Sequence, residues 1–559
     1  MTSQKKINIR EIFRKLLKPA YLLTRGTEIK WNGETDIAII GYGAAGACAA
    51  LESSAQGSQV TVFDRLNGGG ATALSGGVVY AGGGTEIQKQ ADVVDSIDNM
   101  INYLREETAG AVSEDTLTSF CKQSSPNLQW LEKHGVPFDS NAYNQKTSYP
   151  PAGYFLYYSG NENAYPYNDK ATPARRGHRV KGDGLTGPVL FKALDQSVRQ
   201  QSNINIQSHC EVKRLIMDQE NRVIGIECLQ GPTNLIAKFS MTLINKLANK
   251  FAVLEPKIGS LIRHLVHQLR HCGEVQRYKV NQGVILSAGG FIYNRNLLEQ
   301  LAPAYKPARP LGEDCIGLGI SLGINAGGDV RHMEKISAWR DLSPPNSMLK
   351  GIIVNEKGER ICNEDLYGAT SAERVLADKG KRAYLILDRS MMNQAKSETT
   401  LVNMASFQWA TAMLFLNLSA IKRPTIDNLA KKCHIDAAQL HDSINCYNRS
   451  VAAGKDKYNK ATHFLSPIEK APFYAIDVSL RNWRVPCFSI TLGGLRVDEG
   501  TGAVLNLQGD PIDGLYAAGR NAVGVCSNSY ISGLSLADCV FSGRRAGRSA
   551  ALVSAAGST

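Results

Sequence analysis

Short unbroken apolar runs alternate along this chain with longer stretches whose apolar residues recur every three to four positions. That is the pattern of buried strands set between helices. Residues 36–40 (Asp36-Ile37-Ala38-Ile39-Ile40) read as a buried strand, 41–46 as a tight turn and 47–56 as a helix. A second strand follows at 60–63 and ends at Asp64. A helix is expected over 185–200, then strands over 204–206, 211–217, 223–228 and 283–287, the last running into Ala288-Gly289-Gly290. Residues 232–275 do not read as sheet. The stretch 331–480 has its own strands (351–354, 383–387) and helices (426–433, 436–450), and 514–519 return to strand and turn before a helix over 533–546. The expected class is α/β: a Rossmann-like domain over 31–330 and 481–559, carrying a second, inserted α+β domain over 331–480.

At 559 residues and 43% hydrophobic content, the chain exceeds what one core usually holds, which agrees with two domains. The 12 cysteines are scattered without a C-x-x-C pair, so neither a metal site nor a disulfide framework is expected, and a reducing cytoplasm is the simpler setting. The net charge of +12 is concentrated. A leader over 1–30 holds eight bases against two acids, and 238–271 holds six against one. The rest is nearly neutral, which is not a nucleic-acid surface. No apolar run is long enough to span a bilayer.

Gly41-Tyr42-Gly43-Ala44-Ala45-Gly46 follows a strand and opens a helix, with Asp64 at the end of the next strand. The first glycine makes the turn, the second admits a pyrophosphate and the third lets helix and strand pack; Asp64 can accept ribose hydroxyls. Three more glycine-rich segments, 68–77, 287–290 and 513–519, suit a long flavin dinucleotide that touches the chain at several places. With these residues the chain resembles the flavoprotein superfamily of fumarate reductase, succinate dehydrogenase and 3-ketosteroid dehydrogenases over about 36–548. The resemblance implies FAD held at Gly41, Gly43, Ala44, Ala45, Gly46, Asp64 and Arg65; at Gly70, Ala71, Thr72, Ser75, Gly76 and Gly77; and at Val212, Ala288, Gly519 and Arg520. It also implies that the helix opening at Ser535 and Leu536 aims its N-terminus at the flavin, where the positive dipole stabilises a reduced ring.

Dicarboxylate reductases of the superfamily bind substrate with an Arg in an N-R-x-G-G-N-A segment and carry a His-Thr pair. Here Asn528-Ser529-Tyr530-Ile531-Ser532-Gly533 puts Tyr530 at the Arg position, and Ser489-Ile490-Thr491 has no His. Tyrosine does not replace bidentate guanidinium recognition, so a neutral ketone fits better than a dicarboxylate. The run 529–547 resembles the 3-ketosteroid Δ4-(5α)-dehydrogenases, which form the C4–C5 double bond of 3-oxo-5α-steroids. That resemblance implies a catalytic Tyr530 and Ser532, with Tyr367 as a second tyrosine: a proton leaves C4 through a hydroxyl relay and a hydride passes from C5 to flavin N5. The alternatives are a 3-ketosteroid 1-dehydrogenase, a fumarate-reductase-like ene reductase, and a flavin-bearing lipid-surface protein.

Tyr143, Tyr149, Tyr154, Tyr157, Tyr158, Tyr165 and Tyr167 crowd one proline-rich stretch. They line an apolar substrate entrance or build a structural aromatic loop. Residues 232–275 read as a basic amphipathic helical hairpin, with Ile258, Leu261, Ile262, Leu265 and Leu269 on one face. This insertion and the leader dock on anionic lipid, or make a packing or oligomer contact. The partners expected are a 3-oxo-steroid, a quinone-like or artificial electron acceptor and an anionic membrane surface, for a cytoplasmic protein peripheral on the inner face of the membrane.

Overall fold

The apolar runs assemble into one nine-stranded sheet. The computed structural model describes residues 8–24, 28–231, 243–244, 262, 273–340, 342–378 and 382–553. Its main path follows the order Tyr21–Leu22, Cys210–Met217, Val223–Gln230, Glu274–Leu286, Gly33–Ile40, Val60–Asp64 and Ile204–Ser208. Gly33–Ile40 runs parallel to Val60–Asp64, which runs parallel to Ile204–Ser208. Parallel strands need crossovers, and helices Ala44–Ala55 and Gly187–Arg199 lie between these strands in sequence. Covered on both faces, such strands read as continuous apolar runs rather than as alternation.

Glu274–Leu286 starts well before the expected position 283. Its first half pairs antiparallel with Val223–Gln230, its last three residues parallel with Pro511–Ala517. The first half alternates polar and exposed positions and so presents no apolar run to read. Glu274 and Val275, expected to close the insertion, are therefore sheet residues. Apart from 243, 244 and 262, the expected basic helical hairpin lies outside the described residues.

The helix after the first strand begins at Ala44 rather than Ala47, capped by Gly43, so the motif's last three residues form its first turn. It packs against the C-terminal helix Leu534–Leu552 at close range. A Cβ on Gly543 would meet the carbonyl oxygen of Ala45 at 2.5 Å, and one on Gly547 that of Ala49 at 2.5 Å. Glu52 ties the pair together through Arg544 and Arg548.

A separate four-stranded antiparallel sheet, Ile352–Asn355, Ala383–Leu387, Phe473–Asp477 and Ala420–Arg423, encloses its own core around Ile353, Leu385, Phe415 and Ile476. Between it and the main sheet, Arg309–Pro310, Phe488–Thr491 and Ile336–Trp339 form a three-stranded sheet that draws on residues from both sides of positions 331 and 480. A further small sheet joins Val78–Tyr80, Gly177–Arg179 and Leu156–Tyr157.

In the described part of the basic leader, the apolar side of residues 9–17 packs on the protein core. Phe13 is fully buried and meets Phe291 edge to face at 5.4 Å, and Ile9, Ile12, Leu16 and Leu17 pack on the same core. Ser321 donates to the Phe13 carbonyl at 2.7 Å, and Tyr21–Leu22 adds a strand beside Ile216–Met217. The same amphipathic pattern serves either surface, and over residues 9–17 the protein core takes it. Among the described residues no helix is long and apolar enough to cross a membrane.

Candidate active site

The first glycine turn sits at the C-terminal ends of the parallel strands, where doubly wound sheets bind ligands. Gly41 adopts φ +102°, and a Cβ there would come within 2.6 Å of the Ala288 backbone. The second glycine turn thus presses directly on the first. Ser287 Oγ donates to the Gly41 carbonyl at 2.8 Å, and Asn521 holds the same turn by accepting from Ala288 N–H and donating to the Gly289 carbonyl. The third turn closes on the helix itself, where Ala44 N–H donates to Thr72 Oγ1 at 2.9 Å.

These turns enclose a cleft of about 960 Å³, lined by Gly41, Gly43, Ala44, Ala45, Asp64, Arg65, Gly70, Ala71, Thr72, Val212, Ala288, Gly519 and Arg520. Ser75, Gly76, Ser535 and Leu536 line a second cavity of about 620 Å³ that shares Ala71, Thr72, Arg520 and Cys539 with the cleft. Gly46 and Gly77 line neither. A Cβ on Gly46 would sit 2.0 Å from the Gly41 carbonyl oxygen, and one on Gly77 2.4 Å from the Thr186 backbone, so both serve packing. Asp64 is already engaged, accepting from the N–H groups of Tyr42, Leu66 and Gly68.

Sequence reasoning missed the segment Glu313-Asp314-Cys315, which also lines the cleft. Asp314 pairs with Arg65 at 3.2 Å. The flanking Gly312 and Gly317, both at positive φ, were the available signal. Arg65 Nη1 and Arg520 Nη1 are buried without a protein partner. Two unmet guanidinium donors beside backbone pressed bare of side chains suit a long, anionic, hydroxyl-rich group. FAD fits this cleft, with Arg65 and Arg520 as polar contacts and the glycine turns as its cradle.

The second cavity holds Tyr530 and Ser532 together with Val78, Leu311, Trp339 and Ile490. Among the described residues, Arg520 is the one charged side chain lining it. Tyr530 stacks on Trp339 at 4.9 Å, which fixes the plane of the phenol. Gly533, at φ +92°, makes the turn into the C-terminal helix, and its carbonyl accepts from Tyr80 N–H at 3.1 Å. Ser532 N–H donates to the Ser159 carbonyl at 3.1 Å, so the small sheet carries the loop. From behind, Asp538 accepts backbone N–H bonds from Val525 and Cys526, and burial pushes its carboxyl up to about 6.

Tyr367 lines a different, neighbouring cavity of about 380 Å³, with Lys146, Ser148, Gly160 and Glu364. It caps the helix Gly368–Ala377, and its N–H donates to Asn161 Oδ1 at 2.7 Å. Asn161 also donates to Glu107, which accepts from Tyr103 as well. Burial holds the Glu107 carboxyl up at about 7. The strip 159–161 thus touches Ser532 on one side and Tyr367 on the other.

Of the seven clustered tyrosines, none lines the Tyr530 cavity. Tyr149 is scaffold: its hydroxyl has the carbonyls of Gly76 and Gly184 within reach of its one proton and accepts from the buried Arg179. Tyr157, fully buried, makes a 2.9 Å hydroxyl contact with Ser532.

The sequence matches the FAD binding domain family over residues 36–536. It is 35% identical over 502 residues to a 3-oxo-5-alpha-steroid 4-dehydrogenase of Comamonas testosteroni, covering 88% of this chain and 93% of that one. The crystal structure of a 3-ketosteroid-delta4-(5alpha)-dehydrogenase from Rhodococcus jostii RHA1, in complex with 4-androstene-3,17-dione, is similar at a TM-score of 0.79 and 31% identity. That match covers 95% of this chain and 99% of the other. A flavocytochrome c3 fumarate reductase shares the fold at a TM-score of 0.61 and 22% identity, over 93% of this chain and 79% of the other. The chain therefore belongs to the FAD-binding flavoprotein family, as an FAD-dependent oxidoreductase related to the 3-oxo-5α-steroid 4-dehydrogenases.

Proposed function

We propose that this protein desaturates 3-oxo-5α-steroids between C4 and C5. The observation that carries the reading is the pairing of Tyr530 and Ser532 in a largely apolar cavity that opens directly onto the cofactor cleft. Its aliphatic and indole walls match a fused hydrocarbon skeleton, and its polar hydroxyls cluster at one place, as a single ketone needs. One guanidinium does not supply the paired cationic sites a dicarboxylate requires.

FAD, when bound, supplies the acceptor for the C5 hydride. The chain supplies the proton chemistry. The C3 ketone acidifies C4–H; that bond breaks, the proton passes to Ser532 Oγ, and the electron pair forms the enolate whose oxygen Tyr530 OH stabilises. The C4–C5 double bond then forms as C5–H leaves with its electron pair. Neutral hydroxyls are weak bases, so each member of a relay of Ser532, Tyr530 and Tyr367 releases one proton as it takes up another, and the last proton leaves to solvent. Tyr367 is supported here by its burial beside Gly160 and by the Asn161 bond that fixes its backbone. The four-stranded unit within 331–480 is the capping domain of this reading, and a quinone-like acceptor reoxidises the cofactor.

Anaerobic titration with a 3-oxo-5α-steroid tests substrate and reaction together. The flavin absorbance bleaches with one equivalent, and the product carries the 4-ene. A flavin that stays oxidised overturns the reading, and a C1–C2 double bond in the product replaces it with 1-dehydrogenation.

A further inference from the structure

Ser532 meets the hydroxyl of Tyr157, a residue contributed by the small sheet and fully buried. Tyr157 OH makes two contacts, with Ser532 Oγ at 2.9 Å and with the Ser148 carbonyl at 3.4 Å. A carbonyl oxygen only accepts, so the single phenol proton must point at Ser148 for both contacts to be hydrogen bonds. Ser532 is then the donor to Tyr157. With its own proton turned inward, Ser532 presents lone pairs to the cavity.

The backbone holds the same residue in register. Ser532 N–H is fixed by the Ser159 carbonyl, two positions along the chain from Tyr157. Tyr157 therefore sets the rotation of the Ser532 hydroxyl while Ser159 sets the position of its backbone. Ser148 is held in turn from helix Ser406–Met413, where Gln408 donates to Ser148 Oγ at 2.9 Å.

We propose that Tyr157 is a positioning residue that holds Ser532 as a hydrogen acceptor toward the substrate cavity, and so sets the direction in which the C4 proton moves. This rests on the desaturase reading above. Tyr157 is not the end of the relay: burial holds its phenol well above the ordinary tyrosine range, and its own proton is engaged with a carbonyl that cannot pass it on. It orients the base and leaves proton export to the other hydroxyls.

The test compares wild type, Tyr157→Phe, Ser532→Ala and the double variant as FAD-loaded enzymes in anaerobic mixing experiments. The substrate is a 3-oxo-5α-steroid deuterated at C4 or at C5. Tyr157→Phe keeps FAD and steroid binding but slows flavin reduction on the order of 10- to 100-fold, because Ser532 loses its fixed orientation. The isotope effect from C4 rises and that from C5 falls, since proton removal becomes limiting. A loss of packing alone would not redistribute the two effects. In the Ser532→Ala background the second substitution adds no further slowing.

Flavin reduction by Tyr157→Phe within about twofold of wild type, or full additivity with Ser532→Ala, overturns the proposal. Should Tyr157→Phe fail to retain FAD, 3-fluorotyrosine at position 157 keeps the ring and both bonds but weakens the oxygen as an acceptor. It then slows the C4 step a few-fold, and an unchanged C4 isotope effect overturns the proposal. A wild-type flavin that the steroid never reduces overturns the desaturase reading and this proposal with it. A reactive wild type with an unaffected Tyr157→Phe overturns this proposal alone.

Discussion

The cofactor cleft and the cavity beside it share four residues, Ala71, Thr72, Arg520 and Cys539, yet they are made in opposite ways. The cleft is shaped by turns at positions where a side chain cannot exist, such as Gly41 against Ala288 and Gly46 against the Gly41 carbonyl. The cavity is mostly side chain, with Val78, Leu311, Trp339, Ile490 and Tyr530 coming from five separate segments. A surface made by exclusion should fail all at once. A surface made of contributed side chains should lose function by degrees, and lose chemistry without losing the cofactor.

The hardest test of that contrast is Gly46→Val. With a backbone oxygen 2.0 Å from the new Cβ, the turn cannot close, and flavin per purified chain is expected to fall to background. Full FAD content in this variant would break the comparison. Next in size is Tyr530→Phe, which keeps its stack on Trp339 and its FAD but slows flavin reduction on the order of 100-fold or more. An unchanged rate removes Tyr530 from the reaction. Trp339→Ala removes one wall of the cavity and frees the Tyr530 ring; kcat/KM falls about 10-fold by the worth of one aromatic stack, again with FAD retained.

The smallest effect lies behind both sites. Burial raises Glu107 to about 7 and Asp538 to about 6, above the ordinary carboxylate range. The folded chain thus holds protons that the unfolded chain releases. Stability from this source is complete below about pH 4 and is lost as the pH rises through 6 and 7. Glu107→Gln removes one such group, so the drop in Tm between pH 5 and pH 8 shrinks by roughly 1–3 °C. An unchanged drop would show that Glu107 is not protonated in the fold.

What could be read in advance follows the same division. The strand and turn from Asp36 to Gly46 and the acid at Asp64 are one contiguous stretch, and local spacing is enough to place a turn, a helix start and a strand end. The Glu313–Cys315 wall was missed because its glycine neighbours carry no motif spacing. Trp339 and Ile490 gave no signal at all, because nothing in a strand's own sequence says that its end faces a cavity. Tyr157 was legible as one of seven tyrosines but not as the partner of Ser532, since 375 residues separate them and only the fold brings them together. The leader reads as amphipathic, but amphipathicity does not name the surface it covers; only the fold shows that Phe13 packs on Phe291.

The insertion springs from a place that asks little of the fold. Gln230 and Glu274 are register partners on adjacent antiparallel strands, so the chain leaves and re-enters the sheet at neighbouring points. Any connection between them is a hairpin loop as far as the sheet is concerned, and each doubling of such a loop costs only about 0.6 kcal/mol in closure entropy. Replacing residues 232–272 with a short polar turn should leave both the cofactor cleft and the Tyr530 cavity intact, with flavin content per purified chain as the measure. In engineering terms the paired strand ends at Gln230 and Glu274 are a socket: two neighbouring points to which a replacement connection can be joined.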